Sequence, residues 1–105
     1  MRYVLQVNSK PLAGREDEYN DWYDNTHIKD VLSLPGFNAC TRYVHEKPGE
    51  TPRHIALYEV ETDDPDALAK SLTDAIPNMT MSDSFDIRTV SFNFLRTITP
   101  RIVAD

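Results

Sequence analysis

Two hydrophobic periodicities alternate along the chain and predict its first strand and helix. Residues 2–8 alternate between apolar and polar side chains, the pattern of a half-buried strand. An acidic stretch at residues 16–18 then suits the positive end of a helix dipole. Aromatic residues follow at helical spacing, at Tyr19, Trp22 and Tyr23. The chain is therefore predicted to begin with a strand and a helix.

The apolar register of this helix changes near His27. At about 100° per residue, one face collects Tyr19, Trp22, Tyr23 and Thr26. The next apolar residues, Ile28 and Leu32, point to nearly the opposite side. A straight helix would expose one of the two sets, so we predict a kink, or two short helices, meeting at residues 25–28 with His27 at the bend.

The remaining elements are predicted from turn residues and further apolar runs. Asp64 can cap a helix, and Pro65 loses nothing at the first helical position. The predicted elements are a strand over residues 37–45, a strand over 54–60, a helix from Asp64 to Pro77, a loop over 78–84 and a strand over 85–97.

The predicted order of elements defines an α+β fold of the ferredoxin-like βαββαβ type. It consists of a four-stranded antiparallel sheet with both helices on one face. The strand over 54–60 is apolar on both of its faces. A second copy of the chain would bury the open face at about 25 cal/mol per Å², so we expect a homodimer.

Composition and charge restrict the class of protein. A chain of 105 residues suits one domain over residues 1–105. The net charge of -6 and scattered basic residues argue against a nucleic-acid partner. No run approaches the roughly 18 apolar residues of a membrane span, so we expect no membrane partner and a cytoplasmic location. The single cysteine, Cys40, excludes an internal disulfide.

Residues 16–43 carry a resemblance to a known family. The segment Trp-Tyr-Asp-Asn-Thr-His at 22–27, followed by Leu-Pro-Gly-Phe at 34–37 and Arg-Tyr at 42–43, resembles the EthD-like family of the dimeric α/β-barrel superfamily. The resemblance implies a ferredoxin-like protomer whose sheet pairs with another to close a barrel, with a pocket between sheet and helices. Lys29 stands where relatives often have a proline.

The resemblance leaves the reaction open. Relatives include polyketide cyclases, muconolactone isomerase, cofactor-free quinone-forming monooxygenases and haem-dependent enzymes, and one fold serves many chemistries. We expect a small-molecule substrate, because a pocket between sheet and helices is what the resemblance implies.

His27 is the candidate general acid or base, because an imidazole exchanges a proton near neutral pH. Asp24 lies three residues earlier on the helix, where it can orient the imidazole and raise its pKa. The alternatives are a histidine with a purely structural hydrogen bond and a solvated or capping carboxylate. We predict both residues as catalytic, with His27 as acid/base and Asp24 as its orienting partner.

Aromatic residues of the same helix are candidates for substrate binding. A pocket wall of rings would bind an apolar ligand, and a phenol hydroxyl would donate to a carbonyl. The alternative is an amphipathic helix that buries an apolar stripe on the sheet. The predicted substrate-binding residues on this helix are Tyr19, Trp22 and Tyr23.

Two strand residues complete the predicted binding set. Tyr43, like Arg42 on the same predicted strand and His54 on the next, reaches the pocket only if its side chain points to the helix-covered face of the sheet. Arg88 can pair with a substrate carboxylate, with Asp86 on the same strand or with a residue of a neighbouring strand. We predict Tyr43 and Arg88 as substrate-binding residues.

Cofactor and metal motifs are missing from the sequence. The three glycines form no phosphate loop or dinucleotide fingerprint, and the three histidines have no metal-ligand spacing. We therefore expect no cofactor and no metal. The predicted function is a cofactor-independent isomerase, cyclase or dehydratase acting on an aromatic, polyketide-like or lactone substrate. The alternatives are a non-catalytic small-molecule-binding or scaffolding dimer and a cofactor-free monooxygenase.

Overall fold

The computed structural model describes residues 1–105 and has the predicted βαββαβ order. A π-helical turn, Tyr23–His27, joins the first two helices, and a 3₁₀ turn, Ile76–Asn78, follows the third. The elements are β1 (Arg2–Pro11), α1 (Glu16–Trp22), α2 (Ile28–Leu32), β2 (Phe37–His45), β3 (Arg53–Glu61), α3 (Pro65–Ala75) and β4 (Phe85–Arg96). The ferredoxin-like fold class is confirmed.

The four strands form one antiparallel sheet in the order β2-β3-β1-β4. β1 is longer than the predicted strand over residues 2–8, because Lys10 and Pro11 pair with Asp86 and Phe85 of β4. A register shift between Asn8 and Lys10 lets the extra residues of β4 bulge out of the ladder. The sequence pattern did not reveal this extension because a proline normally ends a strand.

The helical segment between β1 and β2 is continuous from Glu16 to Leu32, which corrects the expectation of two separate helices, and the predicted position of the register change coincides with a π-helical turn. Trp22, Tyr23, His27 and Ile28 all keep right-handed helical dihedral angles. The π-helical turn accommodates one residue more than an α-helical turn, since its hydrogen bonds run from i to i+5. That additional residue rotates His27 and Val31 onto the buried face.

The start of α3 is as predicted from the sequence. The Asp64 side chain accepts a hydrogen bond from the Ala67 backbone N–H at 3.1 Å, and Pro65 is the first helical residue. Gly36 ends the first helical segment with a φ of 92°, a left-handed conformation that favours glycine. Its backbone oxygen accepts from the Glu61 N–H at 2.9 Å, which anchors the start of β2 beside the end of β3.

The core lies between the helices and one face of the sheet. Alternate residues of β3 point into it, and the residues between them point to the open face. The buried apolar core consists of Leu5, Tyr19, Trp22, Tyr23, Val31, Phe37, Ala56, Tyr58, Val60 and Leu68. No helix of the structure is long and apolar enough to cross a membrane.

Candidate functional site

A cavity of about 100 Å³ lies between the sheet and the helices. Every strand except β2 contributes to its wall, as do all helical elements other than the body of α1. No Asp, Glu, Lys or Arg side chain lines it, and its polar atoms come from Ser9, His27 and two tyrosines. The lining residues are Val7, Ser9, Trp22, Tyr23, His27, Val31, Tyr58, Leu72, Ile76, Met81, Phe85, Val90 and Phe92.

His27 lies at the end of the π-helical turn, and its side chain lines this cavity. Its Nδ1 atom is enclosed and makes no hydrogen bond, so Nε2 is the nitrogen that remains accessible. Burial lowers the pKa of His27 to about 4, and the negative charge of Asp30 opposes part of that effect. The imidazole is therefore neutral at physiological pH.

The imidazole is held in place in a stack of three rings, formed by His27, Trp22 and Phe85. The His27 ring stacks on Trp22 with centroids 4.6 Å apart, and Phe85 stacks on the indole at 5.5 Å with an interplanar angle of 6°. The indole N–H of Trp22 donates to the Thr80 carbonyl at 2.8 Å. Packing therefore orients His27, and no side-chain hydrogen bond does so.

Two phenols supply the hydrogen-bond donors of the cavity. The hydroxyl oxygens of Tyr58 and Tyr23 are 3.5 Å apart, at the outer limit of a hydrogen bond. Burial raises the pKa of both phenols well above the ordinary tyrosine value. Both hydroxyl groups therefore keep their protons; the Tyr58 hydroxyl donates to Tyr23, and the Tyr23 hydroxyl has no acceptor in the protein.

Asp24 does not approach His27, so the structure lacks the predicted orienting pair. Its carboxylate is more than half exposed and accepts a hydrogen bond from Arg42 Nη1 at 2.6 Å. The i,i+3 neighbour rule applies to α-helices, and the wider π-helical turn rotates the two side chains apart. This correction follows directly from the unpredicted turn.

Strand parity corrects the prediction for Tyr43. Tyr43 pairs with Ile55 on the open face of the sheet and is 54% exposed. Its neighbour Arg42 points towards the helices instead, with its guanidinium 4.4 Å from the centre of the Tyr23 ring. Arg42 Nη2 also donates to the Asn20 side chain at 2.9 Å. Tyr43 therefore lies outside the cavity, and Arg42 supports its wall.

Arg88 and Tyr19 also lie outside the cavity lining. The Arg88 side chain is 85% exposed and pairs with Asp86 at 2.9 Å, which is the alternative considered from the sequence. Tyr19 is buried behind the wall, where its hydroxyl shares a hydrogen bond with Ser9 Oγ. Of the predicted site residues, the cavity brings together Trp22, Tyr23 and His27.

Sequence reasoning missed three residues that shape the site. Tyr58 appeared only as one apolar residue of a strand, Ser9 lies beyond the predicted end of β1, and Phe85 was assigned only as a strand start. Parity within β3 was the available signal for Tyr58, because it alternates with the exposed Glu59. Nothing in the sequence indicated that Phe85 stacks on the indole.

The fold and the site define a ferredoxin-like α+β protein with an apolar, uncharged cavity that contains one neutral histidine. No family model matches the chain, and no curated protein matches it. Solved structures that share the fold include a candidate antibiotic biosynthesis monooxygenase from Bacillus cereus. Its TM-score is 0.64 at 8% identity, covering 100% of this chain and 99% of that one.

Two further solved structures share the fold of this chain. An EthD family protein from Bacillus halodurans has a TM-score of 0.58 at 13% identity, covering 91% of this chain and 99% of that one. A variant of MhuD with two manganese protoporphyrin IX molecules bound per active site has a TM-score of 0.64 at 17% identity, covering 95% and 99%. At these identities the comparisons confirm the EthD-like resemblance at the level of the fold.

Proposed function

We propose that this chain is a cofactor-independent small-molecule enzyme in which His27 transfers a proton. The reaction class is an isomerisation, cyclisation or dehydration. The observation that carries the proposal is a neutral imidazole that lines an uncharged cavity beside two protonated phenols, with Nε2 as its accessible nitrogen. This arrangement supplies a base and hydrogen-bond donors in one water-poor space.

The proposed step begins when His27 Nε2 removes a proton from a carbon next to a substrate carbonyl. The electron pair moves onto the carbonyl oxygen, where the Tyr23 or Tyr58 hydroxyl donates a hydrogen bond to it. A base with a pKa of about 4 is weak, but the negative charge that forms beside it raises its proton affinity. The imidazolium then returns the proton to a different atom of the substrate.

The lining favours a neutral, ring-shaped ligand. Burying a charged ligand without a partner charge is costly, and the cavity offers none. A volume of about 100 Å³ is smaller than the cavity of about 150 Å³ that holds benzene in another protein. A larger aromatic, polyketide-like or lactone substrate therefore requires the mouth to widen at its exposed residues, which are Ile76, Met81 and Phe92.

A porphyrin does not fit this cavity. Ligand pockets for drug-sized molecules span roughly 300–1,000 Å³, whereas the cavity here measures about 100 Å³. The cavity as observed is thus too small for the porphyrins of the MhuD variant, and the proposed mechanism uses no haem.

A His27→Ala variant tests the proposed base. With a panel of aromatic and lactone substrates, we expect turnover to fall by about 10²-fold or more, the usual contribution of general acid/base catalysis. His45→Ala is the matched control, because His45 is an exposed residue of β2 outside the cavity. A fall of less than about tenfold at unchanged stability would remove His27 from the mechanism.

Two alternative functions use the same cavity. In a non-catalytic binding or scaffolding dimer, His27 would accept a hydrogen bond from a ligand that is released unchanged. Product analysis by mass spectrometry distinguishes this case, since the recovered ligand would have its original structure.

The structural neighbour described as a candidate monooxygenase favours the second alternative, cofactor-free oxygenation of a phenol. Oxygen uptake on adding a phenolic substrate would support it.

We also propose that the open face of the sheet forms a homodimer interface. Apolar side chains remain on this face, including Ile55, Leu57 and Leu95. Lys10 and Arg53 lie at one end of the face, and Glu59 and Glu61 lie with Arg2 at the other, so two copies related by a two-fold axis can place basic residues against acidic ones. Sedimentation should give twice the 12.0 kDa monomer mass, and Leu57→Glu should yield monomers. A monomeric wild-type protein at micromolar concentration would contradict this interface.

A further inference from the structure

One wall of the cavity is a segment without regular structure, residues 79–84, which we term the strap. It connects the 3₁₀ turn to β4, and its Met81 side chain lines the cavity while remaining 43% exposed. All other lining residues belong to strands or helical turns. The middle of the strap, residues 80–82, is exposed or half-buried and belongs to no strand or helix, so it can open without breaking a regular element.

A single peptide group holds the middle of the strap to the helical segment that carries His27. The Thr80 N–H donates to Asp30 Oδ2 at 3.2 Å, and the Thr80 carbonyl accepts from the Trp22 indole at 2.8 Å. The far end is held separately, because the Leu12 N–H donates to the Ser84 carbonyl at 2.8 Å and Arg15 donates to the Asp83 carbonyl at 3.1 Å and to its carboxylate at 2.6 Å. The Asp30 and Trp22 contacts are therefore the ones that hold the residue next to Met81.

Asp30 also acts on His27 electrostatically. It lies three residues after His27, within one helical turn on α2. The other titratable groups around the imidazole are the neutral phenols of Tyr23 and Tyr58, and β1, β4 and α3 contribute no charged side chain to the lining. Asp30 is thus the charged group that opposes the effect of burial on the pKa of His27.

We propose that Asp30 is a positioning residue that couples closure of the strap to the protonation state of His27. The closed strap keeps water from the imidazole and so favours its neutral form, which is the form that can accept a proton. By linkage, a protonated His27 favours the open strap. This inference rests on the proposed function, because the coupling affects catalysis only if His27 is the base. The measurements that test the coupling need no substrate.

The experiment compares amide exchange and histidine titration by NMR in four proteins. These are the wild type, Asp30→Ala, Asp30→Asn and the control Asp24→Asn, whose carboxylate contacts Arg42 and not the strap. Asp30→Ala should lower the protection of the Thr80 amide about tenfold, because a hydrogen bond to a charged group is lost. Asp30→Asn keeps an acceptor and should retain most of that protection, as should the control.

The titration tests the second half of the coupling. In Asp30→Asn the pKa of His27 should fall below its wild-type value, whereas in Asp24→Asn it should not change. Below pH 5 the Thr80 amide of the wild type should lose protection, and His27→Gln should reduce that dependence on pH to the part that protonation of the Asp30 carboxylate itself causes. Unchanged Thr80 protection in Asp30→Ala, or equal His27 titrations in the two asparagine variants, would overturn the proposal.

These experiments can fail or succeed independently of the proposed function. If Asp30→Ala does not fold, the His27 titration of Asp30→Asn still shows whether the Asp30 charge raises the pKa of His27. If His27→Ala retained full turnover, these exchange and titration results would stand, and the strap would then control access to a binding site.

Discussion

The π-helical turn separates two polar neighbourhoods that differ in how far their polar atoms are paired. On one side Arg42 is engaged by Asp24, by Asn20 and by the Tyr23 ring, and only its Nε atom has no partner. On the other side His27 has no hydrogen-bond partner in the protein. Paired polar groups stabilise a fold, whereas an unpaired buried group costs free energy unless a ligand or water satisfies it. This difference agrees with the ligand-binding role proposed above for the His27 side.

The largest expected effect is the pH dependence of stability on the His27 side. His27 has a pKa of about 4 in the folded protein and about 6.5 when unfolded. Its contribution is therefore complete above pH 6.5 and is lost as the pH falls towards 4, by about 3 kcal/mol in all. Denaturant unfolding of the wild type and His27→Gln at pH 7 and pH 4 measures this. Between pH 7 and pH 4 the free energy of unfolding of His27→Gln should fall by about 3 kcal/mol less than that of the wild type. An equal loss of stability in both proteins would contradict this prediction.

The next effect concerns the paired side. Arg42→Ala should destabilise the protein by about 2 kcal/mol, because it removes hydrogen bonds to two side chains and uncovers the Tyr23 ring. Arg88→Ala is the matched control, since it removes an ion pair at an exposed position. The control should unfold at the same denaturant concentration as the wild type. If the two variants behave alike, the paired side does not stabilise the fold.

The smallest effect comes from the same substitution made at two buried tyrosines. Tyr19→Phe leaves the buried Ser9 hydroxyl without its partner and should cost about 1 kcal/mol. Tyr58→Phe removes a contact of 3.5 Å and should cost less than about 0.5 kcal/mol. Thermal melting of the two variants provides the comparison. A larger loss for Tyr58→Phe would mean that its hydroxyl is engaged by the fold and is not free for a ligand.

The sequence was most informative where local chemistry decides the structure. The β2 bounds, the start of β4 and the Asp64 cap were predicted correctly, because turn residues and alternation act over a few positions. The register change near His27 was also detected. Its mechanism was not, because an inserted residue in a π-helical turn and a break in the helix leave the same apolar pattern.

The site was less predictable because it depends on long-range packing. The choice between Arg42 and Tyr43 turns on a single step of strand parity, which the apolar pattern of β2 does not determine. The separation of Asp24 from His27 depends on the unpredicted turn. The stack of Phe85 on Trp22 joins residues from opposite ends of the chain, and only the folded sheet brings them together.

The position of the single tryptophan makes the cavity optically observable. Trp22 lies between His27 and Phe85 and shares its N–H with the strap, so every proposed event in the cavity changes its surroundings. Water that enters on opening would shift its emission to longer wavelength, and a protonated imidazole stacked on the indole would quench it. The unmodified protein therefore contains its own fluorescent reporter, and an emission titration with candidate ligands can precede any assay of turnover.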